Sequence, residues 1–227
     1  MLAIAPVLKP FAASVWDAGS LMTDRACWDD VLGAMPEETL RLRRAAFHAL
    51  LSGQPVSLHR AAAAANLSPE KADEAAQLVA SVGMAEINGG TIFGIDGLTT
   101  RETRHQVVLN GVALWTWCAY DIVGITAALG ANANGTTGCG LCGRRIEVVL
   151  RAGEPEPSPA VGWLPDESCS NVMAEFCPSA LLFCSRTHLA EWRQMQTGVT
   201  SGQALDVASL AARGRADWRP LVTAQPE

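Results

Sequence analysis

The 227-residue sequence lacks any long apolar run, and it is short of basic charge. No stretch approaches the roughly 20 consecutive apolar residues that a membrane-spanning helix needs. Lysine and arginine together number 17 against 23 aspartates and glutamates, which gives a formal net charge of −6 at pH 7. A negative balance of this kind disfavours broad attraction to nucleic acid or to anionic lipid. The composition therefore argues against an integral membrane protein and against a general polyanion-binding protein.

The first ten residues also lack a basic segment ahead of their apolar stretch. Pro6, Lys9 and Pro10 interrupt that stretch, so no secretory signal peptide is expected. Without export, the expected compartment is the reducing cytoplasm, in which thiols stay free. The number of cysteines is odd, which favours thiol or metal chemistry over a disulfide framework. The seven cysteines are Cys27, Cys118, Cys139, Cys142, Cys169, Cys177 and Cys184.

The first half of the chain carries the pattern of three helices and a hairpin. Hydrophobic residues make up 49% of the sequence and charged residues 18%, as in a folded globular protein. Apolar residues recur with a helical period between Pro36 and Leu51. A later helix begins at Ser68 with a proline in its first turn, and short β-like runs flank Asn88-Gly89-Gly90. The pattern predicts a winged helix-turn-helix domain over residues 36–104, preceded by a helical N-terminal extension, residues 1–35.

The second half, residues 105–227, mixes strand and helix patterns. It predicts a mixed α/β domain with a small central sheet, so the expected fold class is α+β. The individual expectations are a strand over 106–115 with a turn at Asn110-Gly111, an apolar helix over 117–129, a loop over 131–143, strands over 145–150 and 180–185, and helices over 188–196 and 204–213.

A helix-turn-helix is often a DNA reader, but the charges here disfavour that role. The helix that would enter the groove contains three acidic residues and one lysine, namely Glu70, Asp73, Glu74 and Lys71. A groove-facing helix should instead bring arginine or lysine to phosphates and base edges. We therefore expect this segment to act as a packing scaffold for the second half.

Three residues of the second half form a candidate reactive group. Cys118 and Asp121 are three positions apart at the start of a predicted helix, so they share one face. Cys177 lies at a predicted junction between a loop and a strand, from which a side chain can point into a pocket. Either cysteine could instead be a small core residue, and the aspartate could only stabilise the helix dipole. If the three converge, two thiolates would make a site for a soft metal.

The sequence Gly138-Cys139-Gly-Leu-Cys142-Gly143 is the most conspicuous local motif. A C-x-x-C between glycines can be half of a zinc site. No second C-x-x-C or H-x-x-H follows, so the other half is not visible in the sequence. Cys142 could act as an extra metal relay, in a redox pair or in a metal knuckle. Cys169 and Cys184 are expected in the core, and Cys27 has no assignment.

Several segments together resemble the organomercurial (alkylmercury) lyase family. Leu114-Trp-Thr-Trp-Cys118-Ala-Tyr-Asp121 resembles the motif with the first active-site cysteine and its aspartate, and Phe176-Cys177 resembles the segment with the second cysteine. The resemblance covers about residues 37–220 in order. It continues through Leu98-Thr99-Thr-Arg101-Glu102-Thr103, Phe183-x-Ser185, Glu191-Trp192 and Gly202-Gln-Ala-Leu205. Cys139 falls where the family carries a structural cysteine, whereas Cys142 departs from the family pattern.

The resemblance implies an enzyme of mercury resistance and detoxification that breaks carbon–mercury bonds. Residues 105–227 would form its catalytic, mercury-binding domain. Cys118 and Cys177 would bind mercury, and an ionised Asp121 would accept a thiol proton and return it to the leaving carbon. Trp115, Trp117 and Phe176 could line the pocket for the organic group, or they could be ordinary core aromatics. The resemblance implies no cofactor, a small cytosolic thiol as co-substrate, Hg(II) as bound product, and mercuric reductase as a possible partner.

Two alternatives remain open at this point. One is a metal- or mercury-responsive winged-helix regulator that binds DNA. The other is a lyase-like protein that binds another metal through Cys139 and Cys142. The preferred organic group and the oligomeric state are not predicted.

Overall fold

The computed structural model describes residues 35–166, 169–196 and 201–223. The predicted N-terminal extension, residues 1–35, lies outside the described residues except for Met35. Within the described residues, no helix is long and apolar enough to cross a membrane.

Three helices open the described chain. They are α1 (Glu37–Leu50), α2 (Leu58–Ala64) and α3 (Pro69–Ser81). The hydroxyls of Ser57 and Ser68 cap α2 and α3 by accepting backbone N–H groups, which satisfies donors that have no partner inside the helix. A two-stranded hairpin follows in the predicted order, β2 (Ala85–Asn88) and β3 (Thr91–Ile95). That these elements act as a winged helix stays a prediction.

Within the described residues, nine strands form one antiparallel sheet. Its order is β1-β3-β4-β6-β5-β7-β8-β9, and β2 pairs with β3 off this path. The strands not yet given are β1 (Val56–Ser57), β4 (Leu98–Thr99), β5 (Gln106–Leu109), β6 (Val112–Thr116), β7 (Ala133–Gly138), β8 (Arg145–Arg151) and β9 (Glu154–Pro155). Strands from both sides of residue 105 pair in this sheet, so it extends well beyond the small central sheet that the sequence predicted. The division of the chain near residue 105 stays a prediction.

The predicted turn at Asn110-Gly111 is confirmed. Both residues have positive φ angles, 48° and 87°, and they join β5 to β6 in a tight hairpin. Two successive positive φ angles are the signature of the hairpin turn that Asn-Gly favours.

The predicted loop over residues 131–143 is wrong in its first part, because residues 133–138 form β7 in the middle of the sheet. Glycine and threonine there suggested irregular structure. A Cβ on Gly135 would lie 2.2 Å from Cγ2 of Ile122, so a helix crosses the strand too closely for a side chain. The glycine therefore reflects close packing rather than a loop.

The helix that crosses the sheet is α4 (Ala119–Ala128), which is apolar and buried over nearly its whole length. It packs on α6 (Val207–Asp217) through glycines, since a Cβ on Gly214 would lie 2.1 Å from Cα of Gly124. This contact packs the middle of α4 tightly against α6, and Cys118 lies at the N-terminal end of the same helix.

A second sheet contains three strands in the order β11-β10-β12. Its strands are β10 (Val161–Pro165), β11 (Leu181–Phe183) and β12 (Gly202–Asp206). The strand predicted over 180–185 is confirmed, whereas the first residues of the helix predicted over 204–213 form β12. Asp206 separates the two elements, because its carboxylate caps α6 through the N–H of Ser209. The remaining elements are a π-helix (Val172–Phe176), α5 (Arg186–Met195) and α7 (Arg219–Val222).

Candidate active site

Cys118 and Asp121 lie together at the N-terminus of α4. Cys118 is the N-cap residue in extended conformation, and its backbone N–H donates to Oδ2 of Asp121 over 2.9 Å. The Asp121 carboxylate thus caps the N-terminus of α4 and also lies close to the Cys118 thiol. The spacing of three residues predicted this shared face.

Cys177 reaches the same place from the π-helix. Its backbone N–H donates to Val172 O over 3.0 Å. The π-helix is itself anchored to the end of α3, where Val172 N–H donates to Val82 O and Met173 N–H to Gly83 O. A Cβ on Gly83 would overlap the side chain of Asn171, so the glycine lets the two segments touch.

The structure brings the three predicted groups into one cluster. The two sulfurs and a carboxylate oxygen of Cys118, Cys177 and Asp121 all lie within 4.8 Å of one another. All three residues are buried, with Cys118 at 0% and Cys177 at 6% exposure. Both cysteines are free thiols. Segments more than 50 residues apart in the chain therefore supply a single thiol–carboxylate site.

Two cavities meet at this cluster. The first exposes mainly apolar surface, although charged residues also line it. Its lining residues are Asp121, Cys177, Arg43, Met84, Asp96, Gly97, Trp117, Val172, Phe176, Asp217, Trp218 and Leu221. The second is more polar and is lined by Cys177 and Trp117 together with Glu86, Thr103, Arg104, His105, Met173 and Pro178. Cys177 thus borders both cavities, whereas Cys118 lies behind it. Trp115, the third predicted wall residue, lines neither cavity and lies on β6 opposite Thr99 and Gln106.

A tight turn after β3 supports the carboxylate of Asp121. Gly97 has a φ of 92°, and a Cβ there would lie 2.7 Å from Cγ of Asp121. Its carbonyl accepts the N–H of Trp117 over 2.9 Å. The neighbouring Asp96 accepts three hydrogen bonds from the buried Arg43, the shortest of 2.6 Å. Sequence reasoning did not single out this turn, although Asp-Gly is a turn signal.

Burial changes the acidity of the site. It raises the pKa of Asp121 to about 7, against the lowering effect of hydrogen bonds from Cys118 and Trp117. The expectation of an ordinary, fully ionised aspartate is therefore wrong, because the carboxyl has lost its contact with water. Burial also raises the pKa of the Cys118 thiol well above its usual value, and the nearby Cys177 and Asp121 add to the effect. Near neutral pH, Asp121 can either hold or accept a proton, while Cys118 is protonated.

The structure also corrects the assignment of the remaining cysteines. Cys184 is not in the core: it is half-buried beside Cys139 and Cys142, and His188 completes this group. The C-x-x-C motif therefore does have partners, which the sequence separates by more than 40 residues. Cys169 is half-buried and disulfide-bonded, so it is not the core thiol that was expected.

The Cys139 thiol is unusually acidic within this second group. Burial raises its pKa, but backbone N–H groups of Cys142, Cys184 and Leu141 donate to the sulfur and lower the pKa to about 6. Such N–H donation is typical of loops that hold a thiolate.

The fold and the first cluster define a class of protein, with helices packed on antiparallel sheets around a buried pair of thiols and a carboxyl group that can carry a proton. Comparison with known protein families shows which family this protein belongs to. The family model of alkylmercury lyase matches residues 98–216, and the chain belongs to this family, whose members cleave carbon–mercury bonds by protonolysis.

Individual relatives agree with the family match. An alkylmercury lyase of Pseudomonas putida is 31% identical over 173 residues, which cover 74% of this chain and 79% of that protein. An alkylmercury lyase of Staphylococcus epidermidis is 30% identical over 148 residues, which cover 63% of this chain and 67% of that protein. A solved structure, the mercury-bound form of MerB2, superposes on this chain with a TM-score of 0.77 at 21% sequence identity. The superposition covers 87% of this chain and 97% of the MerB2 chain. The last comparison shows that the fold is shared.

Proposed function

We propose that Cys118, Cys177 and Asp121 carry out the protonolysis in this organomercurial lyase, with the sulfurs binding mercury and the carboxyl group transferring the proton. The observation that carries the proposal is the convergence of these three buried residues within 4.8 Å, beside a cavity that Asp121 and Cys177 line. Thiolates are the ligands that soft metals prefer. An acid with a pKa near the working pH is well suited to transfer a proton in both directions.

Cys177 meets the substrate first in this proposal, because it borders both cavities and Cys118 does not. An organomercury compound enters as R–Hg–SR′. The sulfur of Cys177 replaces the external thiolate, and the Cys177 proton leaves with that thiolate as R′SH. The organic group R stays on mercury at this stage.

Cys118 then forms the second sulfur–mercury bond. Its thiol proton passes to the carboxylate of Asp121, which has an oxygen within 4.8 Å of the Cys118 sulfur. Asp121 next gives this proton to the carbon, the carbon–mercury bond breaks, and R–H leaves. Mercury(II) remains bound to both sulfurs, so the one proton from Cys118 becomes the proton of the hydrocarbon. The high pKa of the Cys118 thiol means that mercury binding itself must drive off this proton.

The two cavities suit two different ligands. Trp117, Phe176 and Val172 give the first cavity apolar surface for the organic group. The charged Arg43, Asp96 and Asp217 also line this cavity. Arg104, Glu86 and His105 give the second cavity polar and charged groups. A small hydrophilic thiol can approach mercury at Cys177 from this second side and remove the product, either directly or on its way to a mercuric reductase. The proposed setting is the cytoplasm, where such thiols are abundant.

The first half of the chain acts as a scaffold in this account. The end of α3 holds the π-helix that carries Cys177, and α1 holds α7 through bonds from Arg44 and His48 to the carbonyls of Pro220 and Leu221. The acidic face of α3 does not favour the alternative of a DNA-binding regulator, and the relatives described above are lyases.

Hydrocarbon release from phenylmercury in excess thiol tests the proposal. The wild-type chain should yield benzene, measured by gas chromatography. Cys118→Ser and Cys177→Ser should abolish release, and Asp121→Asn should lower it by about a hundredfold or more, because proton transfer by a positioned acid is worth roughly 10²–10⁴. Asp73→Asn on the exposed side of α3 is the matched control and should release benzene like the wild type. Full activity in Cys177→Ser would refute the two-thiol mechanism.

A further inference from the structure

A second group of metal-ligating side chains lies outside the active site. It consists of Cys139, Cys142, Cys184 and His188, whose ligand atoms all lie within 4.8 Å of one another. Cys139 and Cys142 belong to the loop between β7 and β8. Cys184 directly follows β11, and His188 lies in the first turn of α5. None of the four residues belongs to the mercury-binding cluster described above.

The distances in this group match the edges of a zinc tetrahedron. Zinc bonds of about 2.3 Å to sulfur and 2.0 Å to nitrogen place two sulfurs about 3.8 Å apart, and a sulfur and a nitrogen about 3.5 Å apart. The sulfurs of Cys142 and Cys184 are 3.9 Å apart. Nδ1 of His188 lies 3.6 Å from the sulfur of Cys139 and 3.1 Å from that of Cys184. These separations leave room for one ion at the centre.

The backbone around the cysteine loop is already held in place. Gly143 has a φ of 69° and donates its N–H to Cys139 O over 3.0 Å. Gly140 N–H donates to Leu182 O over 2.9 Å, which joins the loop to β11. A Cβ on Gly140 would lie 2.9 Å from the ring of Phe183, so only glycine allows this approach.

The other pair of ligands is positioned just as firmly. The hydroxyl of Ser185 accepts the N–H of His188 over 3.2 Å and fixes the first turn of α5. The N–H of Cys184 points at the sulfur of Cys139 over 3.5 Å. Such a donor stabilises a thiolate ligand in the manner of an outer-shell hydrogen bond at a metal site. The four residues are therefore arranged before any ion arrives.

We propose that Cys139, Cys142, Cys184 and His188 form a closed structural zinc site that ties the β7–β8 loop to the β11–α5 junction. Three cysteines and one histidine are a common ligand set for structural zinc, with the spacings C-x-x-C and C-x-x-x-H. Four protein ligands leave no open position for a substrate, which separates this site from a catalytic one. A single disulfide would involve only two of the four converging groups, whereas a zinc ion would use all three thiols and the imidazole. The site is independent of the roles proposed for Cys118 and Cys177.

Elemental analysis of the full chain tests this site. Protein expressed with zinc and purified without chelator should hold one zinc per chain. Cys142→Ser and His188→Ala should reduce the zinc content to near zero. Cys118→Ser and Cys177→Ser are the matched controls, and they should keep the zinc. Zinc retained in both Cys142→Ser and His188→Ala, or lost in Cys118→Ser, would overturn the proposal.

Cobalt substitution gives a second readout that does not depend on a variant folding. The wild-type chain loaded with Co²⁺ should show the strong visible bands of tetrahedral cobalt with thiolate charge transfer, and zinc should bleach them. Wild-type protein that takes up neither zinc nor cobalt would overturn the proposal. So would a chain that takes up only mercury at these four residues, since the group would then be a relay for the product.

Discussion

At the scale of single residues, the chemistry depends on how burial sets the acidity of Asp121. Its carboxyl group lies under the turn at Gly97 and lines the first cavity beside Trp117, and Asp121 is only 4% exposed. Burial raises its pKa to about 7. A group with this pKa is protonated about half the time near neutral pH, so it can accept the proton of Cys118 and return it to carbon.

The raised pKa of Asp121 also predicts how the free energy of unfolding depends on pH. In the unfolded chain Asp121 ionises near its ordinary value of 3.8, whereas in the folded chain it keeps its proton up to about 7. Between these values the folded state binds more protons, so the contribution of Asp121 to stability falls as the pH rises, and it stays constant above about 7. The free energy of unfolding of Asp121→Asn should therefore exceed that of the wild type at pH 8, with little difference near pH 4.

Urea unfolding at both pH values measures this difference. One pKa unit corresponds to about 1.4 kcal/mol, so the gap between Asp121→Asn and the wild type should widen by roughly 2–4 kcal/mol from pH 4 to pH 8. Other groups, such as the buried His105, titrate in both proteins and cancel in the comparison. A gap that does not change with pH would show that Asp121 has an ordinary pKa.

Sequence reasoning reached the identity of these residues but not their acidity. The spacing of Cys118 and Asp121 is local, so one helix turn predicts it. Cys177 was a candidate from its position at a predicted loop–strand junction, and the family resemblance supported it. The pKa depends on which distant segments cover the carboxyl group, and neither Asp96 nor the turn at Gly97 is near it in sequence.

At the scale of elements, the turn between β3 and β4 sets the position of the carboxyl group. Gly97 combines a φ of 92° with the close approach of Asp121, so the turn and the start of α4 can touch only if residue 97 has no side chain. Arg43 from α1 stabilises the turn through the buried Asp96. Breaking such a pair is costly because it leaves a buried charge without a partner.

Gly97→Ala tests this contact. The added methyl group has to displace the carboxyl of Asp121, so benzene release should fall by about tenfold or more, consistent with the effect of a 1 Å misplacement in an active site. Gly89→Ala is the matched control, because Gly89 also has a positive φ but a Cβ there would meet nothing within 4 Å. Both variants should lose stability through backbone strain, and only Gly97→Ala should lose activity. Equal activities of the two variants would show that the turn does not position Asp121.

The elements show where periodicity is reliable and where it fails. Long amphipathic stretches such as α1 and the Asn110-Gly111 hairpin were predictable because their signals are local. Strand β7 was not, since its glycine at position 135 records the crossing of α4 rather than a loop. The partners of the C-x-x-C motif were missed for the same reason. Tertiary contacts such as the hydrogen bond from Gly140 to Leu182 place the loop against β11, and the sequence does not show them.

At the scale of the whole molecule, the site depends on contacts between the two halves of the chain. The nine-stranded sheet runs across residue 105, and the end of α3 holds the π-helix with Cys177. Cys118, in contrast, is fixed from the other side by α4 and its glycine contact with α6. The proposed order of events at mercury rests on this arrangement, because Cys177 borders both cavities and Cys118 lines neither.

Mass spectrometry of the intact chain after one equivalent of phenylmercury tests this central claim most directly. The wild type should gain mercury without its phenyl group and release benzene. Cys118→Ser should gain phenylmercury with the phenyl group still attached, and peptide mapping should place it on Cys177. Release of benzene by Cys118→Ser, or no phenylmercury on its Cys177, would contradict the account.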